Sequence, residues 1–257
     1  MPIHASAIVD PKAELDSTVE VGPFSVIGPN VKIGARTKVG PHMIISGHTT
    51  IGEDNVFHGS ATIGGDPQDK KYKGEATELI VGDYNVFREG CSVHRGTIQD
   101  QGKTIIGSHN LFMNTTHIAH DCVIGDHTIF ASGAQAAGHV HIGDWAILGG
   151  MTGVHQFVHI GAHAFCGGGS IVLKDVPPYL MVHGAPCVPA GINTEGLKRR
   201  GYGSEALLEI RRAYKEVYRK GQTVAEALAA LEEKAAQVPE LKLFTDFIAN
   251  ASRGIVR

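Results

Sequence analysis

Apolar residues recur at every sixth position along most of the chain. Between residues 3 and 63 this spacing holds without exception. The positions are Ile3, Val9, Leu15, Val21, Ile27, Ile33, Val39, Ile45, Ile51, Phe57 and Ile63. The same phase returns over 81–93 and again from Ile106 to Val172. A period of six matches neither the roughly 3.6-residue period of an α-helix nor the two-residue alternation of a hairpin meander.

This period is typical of short strands that are joined by tight turns and wound into a parallel β-helix. Three repeats then make one triangular coil, so residues eighteen apart stack at roughly 4.8 Å, the spacing of neighbouring strands. Small or β-branched residues such as Ala7, Ser25 and Thr37 stand two positions before many of the apolar ones. They indicate a narrow interior, and the fold class is predicted to be mainly β.

Two segments interrupt the repeat and are predicted to be loops. Residues 65–78 carry no repeat signal, and residues 96–104 carry little. Beyond Val172 the pattern gives way to a proline-rich stretch that is expected to close the β-helix. We therefore assign residues 1–189 to the β-helix.

The last part of the chain has the pattern of helices. Ser204 is predicted to cap an amphipathic helix that ends at Gly221, and Thr223 is predicted to cap a second helix. Pro239 is placed at the start of a third, because proline suits the first helical turn. Residues 190–257 are therefore predicted to form a small α-helical domain.

Composition narrows the class of protein. The 257 residues carry a formal charge of -3, which gives no indication of nucleic-acid binding. The first fifteen residues lack the apolar core of a signal peptide, and no apolar run is long enough to cross a membrane. Cys91, Cys122 and Cys166 fall in the interior columns, so we interpret them as small buried hydrophobes. A cytoplasmic protein with reduced thiols is expected.

The stretch NTTHIAHDC, residues 114–122, contains the first candidate chemistry. On a helix, His117 and His120 would share a face and could hold a metal, whereas on a β-helix they bracket a corner, with Asp121 beside it. Polar residues converge on that corner over two further coils. They are His120, Gly138, His139, His155 and Gln156. The pairs His109–His127 and His141–His159 are also eighteen apart, and we assign them surface or turn roles.

Motifs spread over nearly the whole chain resemble one family of hexapeptide-repeat acyltransferases. The family is that of the UDP-N-acetylglucosamine O-acyltransferases, which start lipid A synthesis in Gram-negative bacteria. The motifs are QDKKYKGE (68–75), HRGT (94–97), HIAHDC (117–122), AGHV (137–140), GGMTGVHQF (149–157) and EGLKRRG (195–201). The resemblance implies a left-handed β-helix, a hand that the periodicity does not show. It also implies a homotrimer that needs no cofactor and moves a (3R)-hydroxyacyl group from acyl carrier protein to the glucosamine 3-hydroxyl of UDP-N-acetylglucosamine.

The same resemblance implies roles for individual residues. His120 matches the general base, Asp121 orients its ring, and the backbone N–H of Gly138 stabilises the oxyanion. The expected substrate-binding residues are Gln68, Asp69, Lys71, His117, His139, His155, Gln156, Asn193, Glu195, Arg199 and Arg200. Gly168 lies where the family gauges acyl length, and its missing side chain predicts a groove open to a long chain. No acyl-enzyme and no metal is required by this scheme.

Two other classes stay open at this point. One is the glucosamine N-acyltransferase of the same pathway, which carries an extra N-terminal domain, whereas the hexapeptides here begin at Ile3. The other is a zinc protein like the gamma-class carbonic anhydrases, in which three histidines bind the metal between subunits. Spacing alone does not exclude such a metal site.

One stretch of the predicted helical domain is strongly basic. Residues 198–220 contain eight basic and three acidic residues, although the chain as a whole is acidic. Acyl carrier proteins are small and acidic, and opposite charge raises the encounter rate of two proteins. We therefore expect the carrier protein to dock mainly on Arg211, Arg212, Lys215 and Arg219.

Overall fold

The structure, a computed structural model, describes residues 3–257. Its first part is the predicted left-handed parallel β-helix, a prism with three faces. Each face is a sheet of short strands, numbered here in chain order. The first face contains β1 (Ile8–Val9), β4 (Val26–Ile27), β7 (Ile44–Ile45), β10 (Thr62–Gly65), β13 (Ser92–His94), β16 (His117–Ile118), β19 (Gln135–Ala136), β22 (Gly153–Val154) and β25 (Ile171–Val172).

The other two faces follow the same rule. The second contains β2 (Glu14–Leu15), β5 (Val31–Ile33), β8 (His48–Ile51), β11 (Glu78–Val81), β14 (Lys103–Ile106), β17 (Val123–Ile124), β20 (His141–Ile142) and β23 (His159–Ile160). The third contains β3 (Glu20–Val21), β6 (Lys38–Val39), β9 (Val56–Phe57), β12 (Val86–Phe87), β15 (Leu111–Phe112), β18 (Ile129–Phe130), β21 (Ile147–Leu148), β24 (Phe165–Cys166), β26 (Leu180–Gly184) and β27 (Cys187–Ile192).

Successive coils stack in the register that the eighteen-residue spacing predicts. Ile8 pairs with Val26, and Val26 pairs with Ile44. The paired histidines stack as well, with ring centroids 4.7 Å apart for His109 and His127. In each two-residue strand the second residue faces inward. On the third face these inward residues include Phe57, Phe87 and Phe112, whose ring centroids are 4.6–4.8 Å apart. The core is therefore a set of columns that run along the prism.

The turns between the strands have two backbone requirements. Glycine follows many of the apolar residues because neighbouring coils touch there: a Cβ on Gly40 would lie 2.5 Å from the carbonyl oxygen of His58. The residue three positions before the apolar one has positive φ and is usually not glycine. Examples are Arg36, Asp54, His109, Asp121, His139, Trp145 and Met151. This conformation costs L-residues roughly 1–2 kcal/mol each, so the stacking of the coils, rather than local preference, determines these turns.

Two irregular segments leave the prism at the same corner. The first loop, residues 66–77, connects β10 to β11, and the second loop, residues 95–102, connects β13 to β14. Both therefore depart between the first and second faces. Lys103 and Thr104, which the sequence placed in the second loop, pair instead with Glu78 and Leu79 of the second face.

A hairpin and four helices complete the chain. The strands β26 and β27 pair antiparallel and extend the third face, so the predicted division at 189/190 falls inside β27. The helices are α1 (Thr194–Arg199), α2 (Ser204–Arg219), α3 (Val224–Ala235) and α4 (Pro239–Ala249). Within residues 3–257, none of them has the length and apolar character that a membrane span requires.

Three sequence predictions about the helix starts can be compared with the structure. Thr223 caps α3 as predicted, in a reciprocal pair of hydrogen bonds with Glu226, and Pro239 opens α4. The prediction for Ser204 was wrong. Gly203 is the capping residue of α2, Ser204 is already helical, and no side chain caps this helix. The helix begins one residue earlier than predicted because Gly203, and not Ser204, has the extended backbone conformation of a residue that precedes the first helical turn.

The interior columns predict a clear difference between two leucines. Leu148 is fully buried in the third face, whereas Leu243 on α4 is 42% exposed. Leu148→Ala should lower the free energy of unfolding by about 2–5 kcal/mol, because a cavity remains in a narrow core. Leu243→Ala should change it by about 0.5 kcal/mol or less. Urea unfolding at one fixed protein concentration measures both, and equal effects would contradict the columnar core.

Candidate active site

The histidine motif lies at the corner between the first and second faces. His120 is followed one coil on by Gly138 and two coils on by Gln156, as the spacing predicts. The N–H of His139 donates to the carbonyl of His120 at 3.0 Å, and the N–H of Phe157 donates to the carbonyl of Gly138 at 3.1 Å. A Cβ on Gly138 would lie 2.7 Å from Cε1 of His120. The imidazole therefore occupies the space that the missing side chain leaves.

A buried carboxylate holds the His120 ring. Its Nδ1 lies 2.8 Å from Oδ2 of Asp121, whose side chain is fully buried. Thr97 donates twice to this carboxylate, from its N–H to Oδ1 at 2.8 Å and from its hydroxyl to Oδ2 at 2.7 Å. Burial raises the pKa of Asp121, but the bonds from His120 and Thr97 outweigh it, so the pKa lies below its usual value. An ionised Asp121 accepts a hydrogen bond from Nδ1–H of His120. The other ring nitrogen, Nε2, then carries no proton and can accept one.

His139 stands beside His120 at the same corner. The two ring centroids are 5.0 Å apart, and the planes meet at 88°. Nδ1 of His139 lies 2.7 Å from Oδ2 of Asp100 in the second loop, and its ring stacks on Phe157 at 4.3 Å. A loop carboxylate and the next coil thus set the orientation of His139.

Two more histidines on the first face have lowered pKa values. Burial lowers the pKa of His117, the proximity of His120 lowers it further, and its Nδ1 lies 2.7 Å from the hydroxyl oxygen of Ser92. His94 meets the His117 ring edge-on at 4.9 Å, and burial, followed by His117 and His120, lowers its pKa to about 4. Sequence reasoning did not select His94 as a site residue, although it begins the quoted HRGT motif. Both rings are therefore neutral at pH 7.

A groove of about 500 Å³ opens on the outer surface of the first face beside His120. It brings together many of the residues that the sequence singled out. The residues that line it are Gln68, His117, Ala119, His120, Gln135, Ala137, Gly138, Gly153, Val154, His155, Gln156, Ile171 and Leu173. Gln135, Ile171 and Leu173 were not predicted. The first two could have been found from the register, because Gln135 and Ile171 occupy the same outward column as His117.

One buried arginine holds the first loop against the prism. Arg95 donates from Nη2 to Oδ1 of Asp66 at 2.5 Å and to the hydroxyl of Tyr72 at 2.8 Å. Its Nη1 donates to the carbonyl of Gly64. The first loop is therefore held at its start and near its middle by a residue that begins the second loop.

The predicted residues of the first loop differ in position. Gln68 lines the groove, whereas Asp69 and Lys71 do not. The carboxylate of Asp69 instead accepts a hydrogen bond from the N–H of Lys71 at 2.9 Å, which forms a turn at the tip of the loop. Substrate contacts by Asp69 and Lys71 stay predictions.

The residues predicted to hold the nucleotide lie at another corner, between the second and third faces. Asn193 caps α1 and donates from Nδ2 to the carbonyl of His163 at 2.9 Å. Nη1 of Arg200 lies 3.3 Å from Nδ1 of the same histidine. Glu195 and Arg199 are exposed on α1. This group is assembled, but within one chain it is not at the corner that carries His120.

Gly168 lies at the third corner, between the third and first faces. It is exposed, and the nearest heavy atom to an added Cβ would be the carbonyl oxygen of Gly150 at 3.3 Å. A side chain there would meet little besides this backbone. Within one chain, His120, Arg200 and Gly168 therefore occupy three different corners of the prism.

A metal site at this corner also has to be considered. Within residues 3–257, one group of side chains has its ligand atoms within 4.8 Å of one another, and it consists of His120, Asp121 and His139. These atoms are engaged in the hydrogen bonds described above. Asp121 accepts on both oxygens, and each histidine directs Nδ1 at a carboxylate. Zinc needs three or four convergent lone pairs, so the geometry fits a hydrogen-bonded acid–base pair better than a metal centre.

Two family models match the chain. One, described as Udp N-acetylglucosamine O-acyltransferase, domain 2, matches residues 175–256, and one described as bacterial transferase hexapeptide (six repeats) matches residues 103–136. The acyl-[acyl-carrier-protein]–UDP-N-acetylglucosamine O-acyltransferase of Thiobacillus denitrificans is 56% identical over 255 residues, which cover 99% of each chain. The enzyme of the same name from Pseudomonas aeruginosa is 52% identical over the same length and coverage.

Solved structures agree with these sequence matches. LpxA from Acinetobacter baumannii superimposes with a TM-score of 0.96 at 47% identity, and UDP-N-acetylglucosamine O-acyltransferase (LpxA) from Moraxella catarrhalis with 0.97 at 43%. Each match covers 99% of both chains. The predicted fold class is thereby confirmed. Likeness of this extent, in sequence and in structure, selects one of the classes that the sequence left open: the chain belongs to the acyl-[acyl-carrier-protein]–UDP-N-acetylglucosamine O-acyltransferase family.

Proposed function

We propose that the chain moves a (3R)-hydroxyacyl group from acyl carrier protein to the glucosamine 3-hydroxyl of UDP-N-acetylglucosamine by direct attack, with His120 as the general base. Its family makes it an acyltransferase of lipid A synthesis that uses these two substrates. The observation that supports the mechanism is the bond between His120 and the buried Asp121 at the edge of the groove.

The proposed mechanism depends on Nε2, the ring nitrogen of His120 that is not bonded to Asp121. A sugar hydroxyl is a weak nucleophile, so a base must take its proton during attack. Because Nδ1 is bonded to Asp121, Nε2 takes that proton while the sugar oxygen forms a bond to the thioester carbon. The tetrahedral intermediate then collapses, the C–S bond breaks, and the imidazolium returns its proton to the departing thiolate. Asp121 stabilises the imidazolium between these steps.

Gly138 is proposed to stabilise the negative charge that develops on the carbonyl oxygen. Its backbone N–H makes no hydrogen bond within the part of the chain that the structure describes, and a Cβ added to it would lie 2.9 Å from Nε2 of His120. A free N–H beside the base is the donor that an oxyanion needs. Any side chain at this position would displace the imidazole.

The cysteines are not suited to an acyl-enzyme. Cys122 and Cys166 are fully buried, and burial raises the pKa of Cys122 to about 12 and raises the pKa of Cys166 as well. A buried neutral thiol is a poor nucleophile. All four cysteines are free, which agrees with our assignment of the protein to the cytoplasm.

A homotrimer would complete the site. The nucleotide group around Arg200 and the groove beside His120 are at different corners, and a convex prism forms a cleft only against another surface. The outer surface of the first face, which carries the groove, also exposes the apolar side chains of Ile8, Val26, Ile44 and Ile171. A second copy that packs on this face would bury them and bring its own corner to the groove.

The structure narrows the surface proposed for the carrier protein. Arg212 pairs with Glu209, and the guanidinium of Arg219 lies over the Tyr214 ring at 5.7 Å. Arg211 and Lys215 are exposed one turn apart on α2, without a carboxylate partner in residues 3–257. Unpaired cations are the ones available to an acidic partner, so these two form the core of the proposed dock.

His120→Ala should lower kcat by about 10²–10⁴-fold, the range that general-base catalysis supplies. His48, an exposed histidine on β8, offers the matched control, and His48→Ala should leave kcat unchanged. Product formation from UDP-N-acetylglucosamine and a hydroxyacyl carrier protein, followed by mass spectrometry, measures both. Wild-type turnover by the His120 variant would contradict its role as the base.

A mixture of two inactive variants should regain activity if the site combines corners of two copies. With His120→Ala and Arg200→Ala subunits co-expressed in equal amounts and assembled at random, about a quarter of all sites keep both groups. A pairing of His120→Ala with His139→Ala should regain nothing, because both residues lie at the same corner. Recovery in neither mixture would mean that one chain supplies the whole site.

Reversing the charge of the dock should weaken the carrier protein alone. Arg211→Glu with Lys215→Glu should raise KM for the acyl carrier protein at low salt, more than at high salt, and leave KM for UDP-N-acetylglucosamine unchanged. Lys12→Glu with Lys38→Glu makes the same change of charge on exposed residues near the other end of the prism. Equal effects of the two double variants would show that net charge, and not this face of α2, governs the encounter.

A further inference from the structure

The second loop reaches the catalytic pair through Thr97. We propose that Thr97 is a positioning residue for acyl transfer, which fixes the carboxylate of Asp121 and through it the orientation of the His120 ring. The inference rests on the proposed function, because it assigns to Thr97 a part in the same reaction. Thr97 does not line the groove, so it acts on substrate through these two residues.

The contacts leave the carboxylate no freedom to rotate. Thr97 is 1% exposed, and its N–H and hydroxyl hold the two oxygens of Asp121 separately, at 2.8 and 2.7 Å. The hydroxyl shares Oδ2 with Nδ1 of His120. The N–H of Asp121 donates to the hydroxyl oxygen of Thr104 at 2.9 Å, so its backbone is held as well. Three donors on two oxygens define one orientation of the carboxylate plane.

The loop is built to deliver Thr97 to this place. A Cβ on Gly96 would lie 2.1 Å from the backbone nitrogen of Lys103, so only glycine lets the chain cross the start of β14 here. The N–H of Gly96 donates to the carbonyl of Glu78 at 3.1 Å, and the N–H of Gly102 donates to the carbonyl of Thr97 at 3.1 Å. Gly96 therefore anchors one side of Thr97 to the prism, and the bond from Gly102 closes the loop on the other side, directly before β14.

The hydroxyl of Thr97 has a defined electrostatic effect. The titratable groups that face Asp121 are His120 at 2.8 Å and His139 at 3.9 Å, with Asp100 bound to His139. Burial opposes the charge of Asp121, and the bonds from His120 and Thr97 keep its pKa low. Without the hydroxyl, the pKa of Asp121 rises. A carboxyl with a depressed pKa loses its charge as pH falls through that pKa, so raising the pKa moves this loss to higher pH.

The test compares Thr97→Val, which removes the hydroxyl and keeps the shape, with Thr97→Ser, which restores it. Thr97→Val should lower kcat about ten-fold, a part of the 10²–10⁴-fold range of general-base catalysis, with KM for UDP-N-acetylglucosamine unchanged. The acidic limb of its pH–rate profile should move to higher pH, while Thr97→Ser should resemble the wild type. Thr37, which is equally buried and donates to the carbonyl of Gly52 at 3.0 Å, offers a matched control. Thr37→Val should alter neither kcat nor the profile.

A proton NMR measurement separates this inference from the proposed function. The Nδ1 proton of His120, assigned by its loss in His120→Ala, should shift in Thr97→Val and stay in place in Thr97→Ser, whether or not the protein acylates the tested sugar. An absence of product from the wild type would refute the proposed function alone. The inference is overturned if this proton and the acidic limb are unmoved in Thr97→Val, or if Thr97→Ser is as impaired as Thr97→Val.

Discussion

The close stacking of successive coils is the constraint on which this structure depends. Each coil lies one strand spacing from the next, and at the glycine turns their backbones touch, as Gly40 does against His58. Most strands turn a single apolar side chain into the narrow interior, so the six-residue period is a direct consequence of its width. A residue at a corner is therefore aligned with those eighteen positions away. The corner that joins His120, Gly138 and Gln156 is held in place by the whole ladder of the prism.

A regular prism would not by itself make a catalytic pair. Both irregular segments in residues 3–257 leave at the corner of His120, and they supply contacts that the coils do not have. Thr97 holds Asp121, Asp100 holds His139, and Arg95 ties the first loop to the second. The site is thus rigid where it meets the prism, while the tip of the first loop, with Asp69 and Lys71, is shaped by its own turn.

The distribution of charge suits the proposed chemistry. Asp121 stays ionised in a buried place because three donors meet it, and the neighbouring His94 and His117 are kept neutral by burial. Asp121 is therefore the ionised carboxylate in direct contact with His120, and two of the histidines near that base are neutral. Several other basic residues lie on α1 and α2, the surfaces proposed for the nucleotide diphosphate and for the acidic carrier protein.

Much of the protein could be predicted from its sequence. Periodicity alone determined the prism, its loops and the alignment of His120 with Gly138, because nearly every repeat carries an apolar residue and many carry a glycine directly after it. The hand of the β-helix came from resemblance, since a period is the same for either hand. Contacts that cross the loops, such as Thr97 with Asp121 and Arg95 with Asp66, leave no periodic signal, and neither do the left-handed turns at His109 or Trp145. Those features, the burial that makes His94 neutral, and the placement of His120, Arg200 and Gly168 at three separate corners were decided by the tertiary structure, because they depend on which distant backbones come to lie side by side.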